Sequence, residues 1–346
     1  VSKEMMRNIL FGSLFAVALS FSGAVSAAPF TTVMVNGMQY EATLASSAVA
    51  PKDLCSIPYG TADANVGGDA QDLEHRTEGA PTAFRAMPDG SIWVLDTVNQ
   101  AAKQFGADGS FIKAFKFPGS GAATFVHMRD FAIIPTGGFY FYNSTEGVVE
   151  RVDEKGVSAV QVEGLPDSFE IGADSKGNLL VVNPVMQSLL RFNPAGELIE
   201  KYDGQTHLSA IVDKDDKPLG VKFDDGMAEL FRADTASPVA EVSIARFPLE
   251  LPKERKAHYV SAKLIGADAK ANVYLELIAC DDNGVVHQHR VLRLSGEGKT
   301  LGQADLLVIP FLAPDMVRHT TATPDGKILG FRSDTKSWIP ITYDIP

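Results

Sequence analysis

The chain has 346 residues and carries 43 acidic against 31 basic side chains, a formal net charge of −12. An acidic balance with no basic cluster disfavours nucleic acid and anionic lipid as partners. The length is enough to bury one sizeable core.

Lys3 and Arg7 precede an apolar run over residues 9–25 that ends in Val25-Ser26-Ala27-Ala28. A charged start, an apolar stretch and small residues at its end make a secretory signal peptide of bacterial type over residues 1–28, and the expected location is extracytoplasmic, periplasmic or secreted. The alternative, a membrane anchor, lacks support elsewhere, because no other run reaches the roughly 18 apolar residues of a span. Residues 29–79 follow as an N-terminal closing strand and an irregular lead-in. Within them, residues 30–43 (FTTVMVNGMQYEAT) show a strand pattern around an Asn-Gly turn, and residues 55–79 are rich in Gly, Asp and Ala without periodicity. Export would put the two cysteines, Cys55 and Cys280, in an oxidising compartment, where they either form one disulfide or remain two separate buried thiols.

Residues 80–119 read as four short strands separated by turns. Pro88-Asp89-Gly90 and Asp108-Gly109 sit between apolar runs, and residues 91–96 (SIWVLD) are dense in β-favouring types. The pattern returns over residues 129–162 and 169–202, then more weakly over 209–247 and 263–309, and begins again at Arg318. The aligned turn positions are Gly90, Gly137, Gly177, Lys217, Ala271 and Gly326, spaced by 40 to 55 residues. Four-stranded units at that period predict an all-β fold, a six-bladed β-propeller of antiparallel blades over residues 80–346. The last copy has three obvious strands, so the N-terminal strand at residues 30–43 is expected to close the sixth blade and remove an open edge.

The first three copies resemble the NHL-repeat family. The features that carry the likeness are Asp89-Gly90, residues 92–95, Asp96 with Asn99, Phe105 and Gly109. They recur as Asn143, Val152 and Gly156, and again as Asn183, Phe192 and Gly196. The resemblance implies the propeller fold; the function expected of that fold here is a ligand- or protein-binding module.

Catalytic signatures are absent. GEGKT at residues 296–300 ends like a phosphate loop, yet Arg293 stands where that motif requires Gly, and a hairpin turn accounts for it. No G-x-S-x-G elbow, H-E-x-x-H helix or EF-hand loop occurs. The repeat frame itself is more informative, because equivalent residues on the innermost strands must gather around one axis. It brings His127, Arg129, Asp167, His207, Lys263, Arg318 and His319 to one channel mouth, a cationic and imidazole focus on an acidic protein that suits a small anionic ligand or a protein partner. His127, His207 and His319 form the candidate metal set, with a divalent ion such as zinc as the cofactor they would hold. In that arrangement the chain is similar in outline to peptidyl-hydroxyglycine lyases, which implies the alternative function, a metal-dependent lyase or a lactonase-like hydrolase. Internal pairing with Asp130, Asp167 and Glu170 would instead neutralise the focus and leave a rigid, wet channel.

Overall fold

The computed structural model describes residues 31–35, 38–42, 49–68, 81–117, 127–153, 155, 158–165, 170–183, 185–204, 207–224, 226–236, 239–250, 257–281, 285–306, 320–333 and 336–345. It does not describe the side chains at 31–35, 38–42, 158–159, 257–259, 280–281, 285–286 and 333. The signal-peptide expectation for residues 1–28 lies outside this set, and among the described residues no helix is long and apolar enough to cross a membrane.

Six antiparallel meanders make up the fold. Blade 1 comprises Ala83–Ala86, Ile92–Asp96, Ala101–Phe105 and Phe111–Lys116. Blade 2 comprises Met128–Ile133, Phe139–Asn143, Val148–Val152 and Ser158–Val162, and blade 3 Glu170–Ala173, Leu179–Asn183, Ser188–Phe192 and Leu198–Asp203. Blade 4 is built from Leu208–Val212, Pro218–Asp224, Met227–Ala236 and Val239–Pro248. Blade 5 is built from Ala257–Ala267, Val273–Asp281, Val285–Leu294 and Thr300–Asp305. Blade 6 contains Thr321–Ala322, Ile328–Ser333 and Ser337–Tyr343. The first strand of every blade touches the first strand of the next, and the sixth touches the first, so these six inner strands form a closed ring. The approach is close: a Cβ added to Gly172 on the inner strand of blade 3 would lie 2.0 Å from the Ala210 carbonyl of blade 4.

Side-chain burial follows from the stacking. Second strands such as Ile92–Asp96 and Phe139–Asn143 are buried at every position because both faces meet a neighbouring blade, whereas the outer strand Phe111–Lys116 is largely solvated. This is why the second strands read as continuous apolar runs and only the outer ones alternate. Six apolar clusters result, each bridging two adjacent blades. The one between blades 6 and 1, with Phe331, Trp338 and Ile57 against Phe84, Val94 and Phe105, closes the circle.

One backbone device recurs in all six blades at the turn between first and second strands. A residue i accepts from the N–H of i+3 and donates to the carbonyl of i+4; the starting residues are Met87, Ile134, Asp174, Asp213, Asp268 and Thr323. The i+3 residue has positive φ: Gly90, Gly137, Gly177 and Gly326, with Asp216 and Ala271 in the same conformation. The frame predicted from sequence therefore slips in blade 4, where the turn position is Asp216 and not Lys217. Blade 4 carries no glycine at this turn, so no residue type in the sequence marks its left-handed position.

Closure also differs in its segment. The N-terminal part of the chain does complete blade 6, but through Lys52–Asp53 and Ile57–Pro58, which pair antiparallel with Ser337–Tyr343. The expected closing segment instead forms a hairpin, Thr31–Val35 with Met38–Ala42, whose second strand lies parallel to Val285–Val286 in blade 5. Apolar alternation selected residues 30–43. What decides the outcome is the buried Ile57, which fills the space beside Trp338 and Phe84.

Candidate functional site

The meanders give the ring two unlike ends. At one end lie the turns between first and second strands, and these are tied to each other across blades. Ser175 donates through N and Oγ to Asp216 at 3.0 and 2.7 Å, and Ala269 N donates to Pro324 O at 3.1 Å. At the other end lie the starts of the inner strands and the turns between second and third strands. This end is called the mouth below.

His127 and His207 each immediately precede an inner strand, in blades 2 and 4. Their carbonyls play the same part, accepting from Ser144 N and Val221 N at 3.0 Å each. Both are thus at the mouth, offset by one residue relative to the turn frame. His207 is exposed and His127 half-buried. Arg129 and Lys263 stand five residues before their turn starts, Ile134 and Asp268, on the inner strands of blades 2 and 5, which face each other across a six-membered ring. Asp167, Arg318 and His319 lie outside the described residues, so the trio His127, His207 and His319 is not brought together by what the structure describes. Among the described residues no group of three His, Cys, Asp or Glu is arranged to hold a metal ion.

The environment of His127 comes from the turn Asn143-Ser144-Thr145. Asn143 Oδ1 accepts from Thr145 N at 3.0 Å and from Glu146 N at 3.3 Å, which fixes the turn. Ser144 Oγ then donates to His127 O at 3.0 Å and lies 2.8 Å from His127 Nδ1. Because the hydroxyl proton goes to the carbonyl, Oγ accepts from Nδ1–H. The other ring nitrogen, Nε2, accepts in the neutral ring and donates in the protonated one, the form that a bound anion favours.

Two further polar assemblies sit inside the ring. Arg85 on the inner strand of blade 1 donates to Asp130 Oδ1 at 2.8 Å and to Phe131 O at 2.7 Å. Asp130, fully buried, also accepts from Phe131 N at 2.9 Å and through Oδ2 from Ile171 N at 3.1 Å. One carboxylate thus laces three successive inner strands. The second assembly centres on Glu276 in blade 5, whose register partner on the inner strand is Lys263. Its Oε1 lies 3.1 Å from His289 Nε2 and accepts from Thr320 Oγ1 of blade 6 at 3.1 Å. Burial, with the Glu276 charge, pushes the Tyr343 phenol well above its ordinary range.

Sequence reasoning missed Arg85, Ser144, Glu276 and His289. Arg85 and Ser144 act from positions that the repeat frame did not sample. Glu276 did leave a trace, being the one charge inside the otherwise apolar VYLELIA of a second strand. Cys55 carries a free thiol, packed beside Gly109 of blade 1 and pushed up to about 11 by burial and then by Asp108. The side chain of Cys280 lies outside the described residues.

Exposed apolar side chains complete the mouth. Among the described residues the large exposed ones fall in two places. Ile112, Leu198, Ile199, Val242 and Leu301 are on outer strands, while Val98 (37%), Val185 (69%), Met186 (51%) and Phe223 (41%) are at the mouth, in or beside the turns between second and third strands. Ile112, Leu198 and Leu301 are the first or second residues of their outer strands, beside the turns between third and fourth strands, so the opposite end also carries exposed apolar groups.

No family model matches the chain, and no curated protein matches it. Solved structures similar to it include virginiamycin B lyase from Staphylococcus aureus, at 11% identity over 79% of this chain and 97% of that one, with a TM-score of 0.45. Hydrazine synthase from Kuenenia stuttgartiensis aligns at 10% identity over 72% of each chain with a TM-score of 0.48. The PQQ-bound aldose sugar dehydrogenase from Streptomyces coelicolor aligns at 13% identity over 86% of this chain and 99% of that one, with a TM-score of 0.46. The propeller assignment rests on the closed ring of inner strands and the six interblade cores.

Proposed function

We propose that the protein is an extracytoplasmic binding module that recognises an anionic group, on a small molecule or on a partner chain, at the mouth of the propeller. The observation that carries this reading is the difference between the two ends of the ring. The turn end repeats one backbone solution and ties neighbouring turns together, whereas the mouth combines the imidazoles of His127 and His207 with exposed apolar side chains, Val98, Val185, Met186 and Phe223. Apolar surface beside a few polar groups is the ordinary composition of a recognition site. The low dielectric beside such a surface strengthens attraction for an anion in an otherwise acidic protein.

Citrate and succinate serve as probes in calorimetric titration of the mature chain. Saturable binding that His127→Ala and Arg129→Ala each reduce at least tenfold, with the unfolding midpoint of each variant preserved, supports the reading. Absence of saturable binding, or binding indifferent to both substitutions, refutes it.

A further inference from the structure

We propose that the mouth of the propeller docks a protein chain, which lays apolar side chains on a ledge formed by blades 1 to 3 and points an acidic one at His127. The proposal rests on the anion reading and names its partner, a polypeptide in place of a small molecule.

The ledge comes from strand length. Counted from the residue that starts each inner turn, the second strand ends nine residues on in blades 1 to 3, at Asp96, Asn143 and Asn183, and ten on in blade 6, at Ser333. It ends eleven residues on in blade 4, at Asp224, and thirteen on in blade 5, at Asp281. An antiparallel strand rises about 3.4 Å per residue, so blade 4 stands ~7 Å and blade 5 ~13 Å above the first three blades. The mouth is therefore a low arc beside a wall.

The low arc carries exposed apolar groups in a fixed frame. In each of its three turns the first residue accepts through Oδ1 from the N–H three residues on, and the third is β-branched and exposed: Val98, Thr145 and Val185, with Met186 beside the last. On the wall, Phe223 shares the face of Val221 and Ala228, which packs toward blade 5, and stays exposed at the mouth end of that core.

Span decides the class of ligand. Neighbouring strands lie about 4.8 Å apart, so a turn between second and third strands stands about 7 Å outside the inner strand of its blade. His127, fixed by Ser144, precedes the inner strand of blade 2 in the middle of the arc, and Val98 and Val185 flank it on the neighbouring blades. A molecule of the size of citrate that covers the imidazole leaves those side chains in water. Residues two apart in an extended chain are separated by about 7 Å, the same step, so a polypeptide engages both. Charge sets its register. Of the two acids in the three turns, Asp96 is buried and bonded to Lys103, which leaves Glu146 exposed. An acidic side chain on the docked segment is repelled from Glu146 and drawn to the imidazole.

The test is panning of a random peptide library displayed on phage against the immobilised mature chain, followed by calorimetry with the enriched peptide made synthetically. Enriched sequences should share an acidic residue with an apolar one two positions away. Val185→Ser combined with Met186→Ser, and separately His127→Ala, should each weaken that peptide at least tenfold with the unfolding midpoint preserved. His127→Gln, which keeps a donor for Ser144, replaces His127→Ala should that variant fail to fold. Ile199→Ser, which removes an exposed aliphatic group at the opposite end, should leave the affinity unchanged. No enriched sequence, enrichment without an acidic residue, or binding indifferent to the Val185 and Met186 pair overturns the proposal. Citrate that binds while no peptide is enriched rejects the polypeptide and leaves the anion reading standing.

Discussion

Replacing Lys103 with Met tests how the lead-in segment is held to the ring. Lys103 lies on the third strand of blade 1 with its side chain 2% exposed, and its Nζ is 2.9 Å from Asp96 Oδ2, 2.6 Å from Asn65 O and 3.2 Å from Ala62 O. Met retains most of the apolar stem, so packing is nearly conserved and the charge is what disappears. Asp96 would then be a fully buried carboxylate without its cation, a change that typically costs about 3–5 kcal/mol. Three donors remain to it, Gly67 N at 3.0 Å, Asn99 N at 3.1 Å and Asn99 Nδ2 at 2.8 Å, which places the expected loss near the lower end, about 3 kcal/mol. Urea unfolding at neutral pH reads it directly, and limited proteolysis should show faster cleavage within residues 60–67, whose carbonyls lose their donor. Combining Lys103→Met with Asp96→Asn should recover part of the loss, because the uncompensated charge goes with it. A loss below about 1 kcal/mol in the single variant would refute the argument that this buried pair fastens the segment.

Three other outcomes follow from the fold. Ile57→Ala removes the fully buried anchor of the closing segment and should cost about 2–5 kcal/mol in chemical unfolding, whereas deletion of residues 31–42 should leave the midpoint of the ring little changed; the reverse ranking would return closure to the hairpin. Ala271→Gly relieves a left-handed backbone at φ 58° and should raise the unfolding midpoint, since an αL penalty of about 1–2 kcal/mol for a residue with a Cβ exceeds the roughly 0.4–1 kcal/mol of extra chain entropy that glycine brings. Hydrogen bonding from Arg332 lowers the Asp53 carboxyl below its ordinary value, against a smaller opposing effect of burial, so its contribution is present above the ordinary carboxylate range and is lost as pH falls through the lowered folded value; Asp53→Asn should flatten that acid limb in a pH series of melts.

Blade number, blade composition and most turn positions were legible because propeller stacking imposes them on the sequence. A second strand pressed between two blades must be apolar on both faces, and a tight turn with positive φ prefers glycine, so SIWVLD and Gly90 announce themselves. Legibility failed where a structural demand is met by an unexpected residue. Asp216 holds positive φ without glycine and offsets the local strain with two bonds from Ser175, which no periodicity encodes, whereas Ala271, also not glycine, was placed correctly by the period alone. The closing strands are two residues each, too short to carry alternation, and they are selected by the fit of Ile57 against Trp338. At the candidate site, Arg85 was passed over although it stands on an inner strand, whereas the inner-strand residues Arg129 and Lys263 were sampled by the frame. Glu276 and His289 were not, because their partnership crosses strands and joins Thr320 from another blade.

The same contrast explains why the mouth is the end to examine for function. Six turns at the opposite end reuse one pair of backbone hydrogen bonds, so each must place a residue at positive φ and satisfy its neighbours, and little chemical freedom remains there. The connections at the mouth share a frame in blades 1 to 3, where Asp96, Asn143 and Asn183 each accept through Oδ1 from the N–H three residues on and Gln100, Gly147 and Gln187 take positive φ, yet the side chains that they carry differ. Thr97 donates to a carbonyl of the next blade, Asn143 caps a turn that presents Ser144 to His127, and Val185 and Met186 leave their side chains in solvent. Exposure of large apolar groups costs solubility and gains nothing for a rigid core already closed by six interblade clusters. Substituting Val185 and Met186 together with Ser should therefore leave the unfolding midpoint within about 0.5 kcal/mol of the parent, as surface changes do, while weakening whatever association the mouth supports. A large drop in stability would show instead that these side chains serve the fold, and the functional weight given to this face would fall with it.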